Sequence, residues 1–329
     1  MTSLEIWLEN RQSPAIKCRA AWSRKTDGFP TPLRKFANRM MWPRLLKHMR
    51  YLPPKITLST EAGRRWDIFK NGNPLAKSIT LLELIPPLTI PTSIVATGPS
   101  ALDYPWDDVR NGGRFLIAVN GAPTMLRNLG IAPDLLVVTD REFAMTGTRH
   151  LEAAPGVPLA IEFLAAAALA ATAPQLLTGR PFAILERVNM WHALPILDDV
   201  TLRDLNEASG APFVFPEARD PKCRVGWSHR PDMGIFSGRT VVFGALQIAV
   251  GLGAADVEII GMDLSGAGRS YREESGRRPT QLQEHYRSFI LPSFQTMRLA
   301  LASRKVKVTS CSPVCPLPSW IFGDCPHGD

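Results

Sequence analysis

Three residues whose side chains could accept or donate a proton lie in the last third of this 329-residue chain. His285 stands between Glu284 and Tyr286, and imidazole is the side chain whose ordinary pKa lies nearest neutral pH. Tyr271 and Ser265 belong to a polar, glycine-bearing loop, where a hydroxyl can donate a hydrogen bond to a departing phosphate. An inert histidine at a helix start and a surface tyrosine are the alternatives.

A tight turn near residue 98 has the composition of an anion-binding loop. Thr97, Gly98, Pro99 and Ser100 follow a short apolar run, and we call them the 97–100 turn. Glycine permits close approach of the backbone, and free N–H groups can then face a phosphate. The turn matches neither the dinucleotide fingerprint nor the phosphate loop of NTPases, so a tight turn without a ligand remains the alternative.

Two further positions could bind the same ligand. Ser237 and Gly238 precede a long apolar run, which predicts a helix over residues 238–251 whose N-terminus would favour an anion. Asp263 ends a predicted strand, where a carboxylate commonly holds a ribose or substrate hydroxyl. An ordinary N-cap at Ser237 and a turn-capping role for Asp263 are the alternatives.

The sequence favours chemistry without a metal. No Asp-x-Asp occurs anywhere in the chain, and many metal-dependent sugar transferases hold their divalent cation with that motif. Neither a zinc-protease motif nor a serine-hydrolase elbow is present. We therefore expect no cofactor.

The elements that must position these residues alternate regularly from residue 93 onwards. Apolar runs predict strands at 93–96, 114–120, 134–140, 159–163, 181–186, 257–264 and 305–310, and helices at 121–129, 238–251 and 281–303. Strands alternating with helices indicate βαβ units, hence an α/β, Rossmann-like, mostly parallel sheet with helices on both faces. Ligands bind beyond the carboxyl ends of such strands. Asn120 and Asp140 therefore join the candidate site.

Composition separates a basic N-terminal region, residues 1–90, from residues 91–320 and a short tail, 321–329. The first region holds 16 Lys and Arg against 6 Asp and Glu, whereas the chain as a whole has a net charge of +8. Its Leu33, Phe36, Met40, Leu45 and Met49 form an amphipathic pattern with basic flanks, typical of a helix at an anionic membrane surface or of one packed on the main domain. A solvated basic face without a partner is a third interpretation.

The remaining features predict a cytoplasmic protein, peripheral at most on the inner face of the cytoplasmic membrane. No signal peptide is visible, and the apolar tract 157–177 contains Glu162 and Pro174. Five irregularly spaced cysteines predict reduced thiols. No nucleic-acid-binding module is found in the basic region.

Taken in their order along the chain, the motifs resemble those of the bacterial family 42 sialyltransferases. They also resemble the wider group containing flagellin glycosyltransferases of the motility accessory type and archaeal 6-hydroxymethylpterin diphosphokinase-like proteins. The resemblance spans about two-thirds of the chain, from about Ser93 to Ser319, and the matching segments within it are ATGPS (96–100), AVN (118–120), VVTD (137–140), FSGRTVVFGALQIAVGLGAADVEIIGMDLSGAGRSY (236–271), EHYRSF (284–289) and SCSPVCPLPSW (310–320).

The resemblance implies a role for each matching residue. Gly98 and Ser100 correspond to the loop around a CMP phosphate, Asn120 to a nucleotide-contacting asparagine, and Ser237 with Gly238 to the donor-contacting pair. Tyr271 corresponds to one of two phosphate-binding tyrosines, and His285 to the general base. The chain departs from the family pattern at three positions: Thr97 and Asp140 replace asparagines, and Ser265 replaces the second tyrosine.

The function implied is metal-independent glycosyl transfer. The donor would be a CMP-activated acidic sugar, such as sialic acid, Kdo or a pseudaminic-type sugar. The acceptor would be a glycan or glycolipid of the cell envelope, such as a lipopolysaccharide core, reached through the basic residues 1–90. Two alternatives stay open. One is ATP- and Mg²⁺-dependent pyrophosphoryl transfer, with Asp140 and Asp263 as metal ligands, and the other is a non-catalytic binding protein.

Overall fold

A computed structural model describes residues 2–9, 49–60, 64–110, 113–218, 220, 223–264, 268–270, 281–323 and 325. Its centre is a seven-stranded sheet in which all neighbours are parallel, in the order β12-β11-β4-β5-β6-β7-β8. The strands are β4 (Thr92–Val95), β5 (Phe115–Val119), β6 (Leu135–Val138), β7 (Leu159–Glu162), β8 (Phe182–Leu185), β11 (Asp256–Ile260) and β12 (Lys307–Ser310). The predicted α/β, Rossmann-like class is confirmed.

Helices cover both faces of this sheet, which explains why its strands are nearly continuous apolar runs. On one face α10 (Val241–Gly251) packs across β4, β5, β6 and β11. The other face carries α7 (Phe163–Thr172), whose alanines are fully buried except for Ala171, together with α5 (Arg141–Thr146). The further helices of this layer are α3 (Asp107–Arg110), α4 (Ala122–Asn128), α6 (Thr148–Glu152) and α8 (Gln175–Thr178), and a 3-10 turn spans Pro99–Leu102.

The described parts of residues 1–90 add structure that the sequence did not predict. Strands β1 (Ile56–Thr60), β2 (Trp66–Lys70) and β3 (Asn73–Lys77) form an antiparallel sheet, in which Asn71 and Gly72 make the β2–β3 turn with positive φ. Helices α1 (Ser3–Glu9) and α2 (Leu81–Leu84) complete the region. Trp66 contacts Phe163, and Trp7 contacts Trp191, so these elements share the core of the main sheet.

The amphipathic pattern falls mostly outside the described residues. Only Met49 of that set is described, and it is buried in the core beneath the antiparallel sheet. Within the described ranges, no helix has both the length and the apolar character needed to cross a bilayer.

The segment 281–303 was predicted to be one continuous α-helix. The structure instead has two α-helical segments separated by one π-helical segment. These are α11 (Leu282–His285), a π-helix (Tyr286–Ile290) and α12 (Leu291–Leu301). Single π turns inside α-helices are rare in proteins, and many of those that occur lie at functional sites. The remaining elements are α9 (Asp199–Glu207), a small antiparallel pair of β9 (Phe213–Val214) and β10 (Trp227–Ser228), and a 3-10 turn at Ser319–Ile321.

The prediction of reduced thiols is wrong for two of the cysteines. Cys311, directly after β12, forms a disulfide with Cys325, with their Cα atoms 5.3 Å apart. Cys223 and Cys315 are free thiols. The bond holds the C-terminal segment against the carboxyl end of the edge strand.

Candidate functional site

The strand order reverses between β4 and β11, and both of these strands end in predicted site residues. The chain proceeds from β4 through β8 on one side, then returns to place β11 and β12 on the other. In open parallel sheets the crevice beyond such a switch point is the usual ligand site. The 97–100 turn follows β4, and Asp263 follows β11, so the topology brings them together.

The contact between these two segments is direct. The Asp263 carboxylate is almost fully buried and accepts hydrogen bonds from the Ser100 backbone N–H, at 3.0 Å, and from the Ser100 hydroxyl. A Cβ at Gly98 would lie 2.5 Å from the Asp263 carboxylate and from the Gly261 carbonyl oxygen. Glycine is therefore required at position 98 by the approach of Asp263.

This arrangement corrects the predicted phosphate cradle. The Gly98 N–H donates to the Gly261 carbonyl at 2.8 Å, Pro99 has no N–H, and the Ser100 N–H donates to Asp263. The amides of Gly98 and Ser100 thus hold the turn to the segment after β11 and are not free for a phosphate. Asp263 has the turn-capping role that was its alternative. Binding of a ligand by these residues stays a prediction, and it would require Ser100 to exchange partners.

Asn120 has the features of a residue poised for a ligand. It directly follows β5 with a left-handed backbone, φ +47°, and its N–H donates to the Val137 carbonyl. Its Oδ1 is buried and accepts no hydrogen bond from any residue that the structure describes. Buried polar atoms are normally paired, so this oxygen is a natural acceptor for a ligand N–H or O–H.

Asp140 has a local structural role. It is the N-cap of α5, where its Oδ1 accepts the Glu142 N–H at 2.8 Å, and its side chain is exposed. An aspartate at this position satisfies one of the orphan amides of the helix. Capping accounts for this carboxylate without a ligand.

The helix after Ser237 begins later than predicted. Its first residue is Val241, its N-cap is Thr240, and the Thr240 side chain makes no capping hydrogen bond. Ser237 and Gly238 instead form a turn, in which Gly238 has φ +49° and lies against the Phe243 ring. A Cβ on Gly244 would lie 3.3 Å from Thr139 Cγ2, which places the start of α10 at the carboxyl edge of β6.

A fully buried glutamine fixes the position of this turn. Gln247 Oε1 accepts the N–H groups of Ser228 and Phe236, at 3.1 and 3.0 Å. Its Nε2 donates to the carbonyls of Phe236 and Phe243, at 2.8 and 2.9 Å. Because Phe236 immediately precedes Ser237, Gln247 holds the predicted donor-contacting pair against α10.

The Phe289 ring connects this turn to the predicted base. The Arg239 guanidinium lies 5.0 Å from the centre of the ring, and the His285 ring lies 5.5 Å away in an edge-to-face arrangement. Arg224 approaches the same ring at 4.7 Å. His285 ends α11 and Phe289 lies in the π turn, so both side chains depend on the local change of helix pitch.

The surroundings favour the neutral form of His285. Partial burial and the nearby Arg239 lower the pKa of its imidazole, and Glu284 acts weakly in the opposite direction. A neutral imidazole near pH 7 has a free lone pair and can accept a proton. The geometry therefore provides a half-buried base.

A buried ion pair supports the neighbouring strand ends. Arg187, just after β8, places Nε 3.3 Å from Glu162 Oε1 and donates from Nη2 to the Thr139 carbonyl at 3.0 Å. Glu162 also caps α7 through the N–H groups of Leu164 and Ala165. Burial raises the pKa of the Glu162 carboxyl, whereas the Arg187 charge lowers it.

The C-terminal segment links the two halves of the site. The Tyr286 hydroxyl donates to the Pro316 carbonyl at 2.6 Å, and the Met262 N–H donates to Ser312 Oγ at 2.6 Å. The helix carrying His285 and the loop carrying Asp263 are thus both attached to residues 312–316. Burial raises the pKa of the Cys315 thiol, and Asp263 adds to the effect.

The structure therefore brings the predicted residues together in two groups. The 97–100 turn meets Asp263, and the 237–238 turn meets His285 through Arg239 and Phe289. Tyr271 and Ser265 lie outside the described residues. In the described part of the chain, no three histidine, cysteine or carboxylate side chains are clustered as metal ligands would be.

Sequence reasoning missed Arg239, Phe289 and Gln247. Arg239 directly follows the Ser-Gly pair and has φ +57°, a backbone conformation that no local pattern indicated. Phe289 lies four residues after His285, at a spacing that could have paired them on one helix face. Gln247 interrupts an otherwise apolar helix, and a lone amide inside such a run is itself a signal of buried hydrogen bonding.

Together, sheet order and site define an α/β protein of Rossmann-like architecture with its candidate site at the switch point. No family model and no curated protein matches the chain. Among solved structures, it is similar to the MAf glycosyltransferase from Magnetospirillum magneticum AMB-1, with 12% identity and a TM-score of 0.41 over 73% of this chain. The match covers 34% of that protein, so this chain spans about a third of its length, and the likeness concerns the arrangement of the fold alone.

Proposed function

We propose that this protein is a metal-independent glycosyltransferase that uses a CMP-activated acidic sugar and transfers it to a hydroxyl of a cell-envelope glycan. The observation that carries the proposal is the contact of His285 with Phe289, whose ring also holds Arg239. We infer that His285 acts as a neutral base beside the turn whose Ser237 and Gly238 resemble a donor-binding pair.

The reaction that we propose is a single displacement at the anomeric carbon of the donor sugar. The acceptor oxygen attacks the anomeric carbon, its proton passes to the imidazole of His285, and the bond from that carbon to the CMP phosphate breaks. CMP leaves as a monophosphate, so less charge develops than with a diphosphate, and hydrogen-bond donors suffice to stabilise it. By the resemblance, Tyr271 and Ser265 supply such donors, and the Asn120 amide meets the nucleotide.

The acceptor side of the proposal rests on charge. Positions 1–90 hold 16 basic and 6 acidic residues, and this excess of positive charge would attract an anionic glycolipid or membrane surface. Binding to vesicles with and without anionic lipid, at low and high salt, tests this point separately from catalysis.

The decisive experiment measures CMP release from CMP-sialic acid and CMP-Kdo in EDTA, with a lipopolysaccharide core as acceptor. We expect turnover by the wild-type protein and a loss of roughly 10²–10⁴-fold in His285→Ala. Arg298→Gln is the matched control, because it removes an exposed charge from α12 and should retain turnover.

Two results would overturn the proposal. One is the absence of CMP release with every donor. The other is pyrophosphoryl transfer from ATP in Mg²⁺ without any use of CMP-sugars.

A further inference from the structure

Two arginines from separate segments lie over the Phe289 ring beside the predicted base, and a third, Arg187, acts electrostatically on one of them. Arg239 and Arg224 both lie over the Phe289 ring, at 5.0 and 4.7 Å from its centre. The two guanidinium carbons can therefore be no farther apart than the sum of these distances. Arg187 lies after β8 and forms a parallel β-bridge with Ile235. Ile235 belongs to the segment that leads into the 237–238 turn.

The charges of two of these arginines are compensated. Arg187 pairs with Glu162, and Arg224 makes a two-point contact with Asp220, with Nε to Oδ2 at 3.0 Å and Nη2 to Oδ1 at 3.4 Å. Among the described residues, no carboxylate lies within salt-bridge distance of Arg239. Burial and the proximity of Arg187 and Arg224 lower the pKa of Arg239, and the Phe289 ring is a favourable partner of its charge.

We propose that Arg239, held over Phe289 and flanked by Arg187 and Arg224, binds an oxyanion of the ligand. A partly buried guanidinium with no carboxylate partner among the described residues is complementary to an anionic group, and its fork of N–H donors matches a carboxylate or a phosphate. This inference deepens the proposed function, on which it rests, by assigning a subsite for one anionic group of the donor.

The subsite also couples binding to the base. Among the described residues, burial and the charge of Arg239 lower the pKa of His285, and Glu284 raises it. An anion bound at Arg239 cancels the positive field at the imidazole, so His285 becomes a stronger base when the ligand is present. The base is then most effective in the complex in which it is needed.

The test uses calorimetric titration of the full chain with three probes: CMP, inorganic phosphate and free sialic acid. We expect Arg239→Gln to weaken binding of at least one probe about tenfold or more, which corresponds to loss of a charge-assisted hydrogen bond. Arg239→Lys should retain part of the affinity, and Phe289→Leu should weaken it by releasing the guanidinium. Arg298→Gln, which removes an exposed charge from α12, is the matched control and should bind like wild type.

The pattern across probes identifies the source of the oxyanion. A loss confined to CMP and phosphate assigns a phosphate, and a loss confined to sialic acid assigns a carboxylate; either supports the inference. Equal affinities of Arg239→Gln and wild type for all three probes would overturn it, as would a wild type that binds none. Turnover of CMP-sugars with unchanged Arg239→Gln binding refutes the subsite alone. Arg239-dependent phosphate binding without CMP-sugar turnover refutes the function alone.

Discussion

Asp263 accepts two hydrogen bonds from Ser100, one from its backbone and one from its hydroxyl, across the switch point of the sheet. Ser100→Ala leaves a nearly buried carboxylate with one donor fewer, so we expect the free energy of unfolding to fall by about 1–3 kcal/mol. Urea denaturation measures the change, with the exposed Ser319→Ala as control. An unchanged midpoint would show that the hydroxyl contributes nothing.

Gly98→Ala should be more damaging than its small size suggests. The added methyl would lie 2.5 Å from the Asp263 carboxylate and the Gly261 carbonyl, so the β4 and β11 turns must separate. We expect a loss of about 1–3 kcal/mol, typical of overpacking. Gly113→Ala is the control, since a Cβ there meets nothing within 4 Å and its φ is not positive. Equal melting temperatures for the two variants would contradict this interpretation.

Gln247→Met tests the anchoring of the 237–238 turn. The thioether matches the glutamine in length but leaves the N–H groups of Ser228 and Phe236 unpaired inside the core. We expect destabilisation of about 2–5 kcal/mol, because each unsatisfied buried group costs its desolvation. Denaturant unfolding measures it beside Gln175→Met, whose glutamine is exposed. A loss no larger than in the control variant would argue against the buried network.

The pKa of His285 should respond oppositely to its two charged neighbours. Arg239 lowers this pKa and Glu284 raises it. Arg239→Gln should therefore raise it, and Glu284→Gln should lower it. Histidine NMR titration from pH 5 to 8 follows each change, and the signal missing in His285→Gln identifies the residue among the six histidines. Shifts in the same direction would refute the assigned field.

The same signs predict the pH profile of transfer. A base acts when neutral, so the rate should rise with pH through a pKa below the ordinary 6.5 and level off near neutrality. In Arg239→Gln the rise should move to higher pH. Initial rates across this range in the two proteins provide the measurement.

The sequence predicted the seven parallel strands because each is a continuous apolar run bounded by turn residues. It did not predict the antiparallel sheet, since prolines such as Pro74 suggested irregular chain. Pro74 lies on edge strand β3, where a missing N–H is tolerated, and the Asn71-Gly72 pair was a usable hairpin signal.

The candidate site, like the fold, was predictable from the sequence only in part. Its location was predictable, because strand ends must meet at one edge of a parallel sheet. Its hydrogen bonding was not, since the partners of Ser100 and Gln247 come from distant parts of the chain. The Cys311–Cys325 pair likewise depends on how the tail returns to β12.

The π turn at residues 286–290 separates α11 from α12. Its backbone pairs residues five apart, so it holds one residue more than an α turn over nearly the same rotation, and deleting one residue here should leave the direction of His285 relative to Phe294 almost unchanged. Phe294 and Met297 would keep their places in the core. The extra residue therefore changes the local backbone around Phe289 and leaves the direction of the imidazole and the packing of α12 in place.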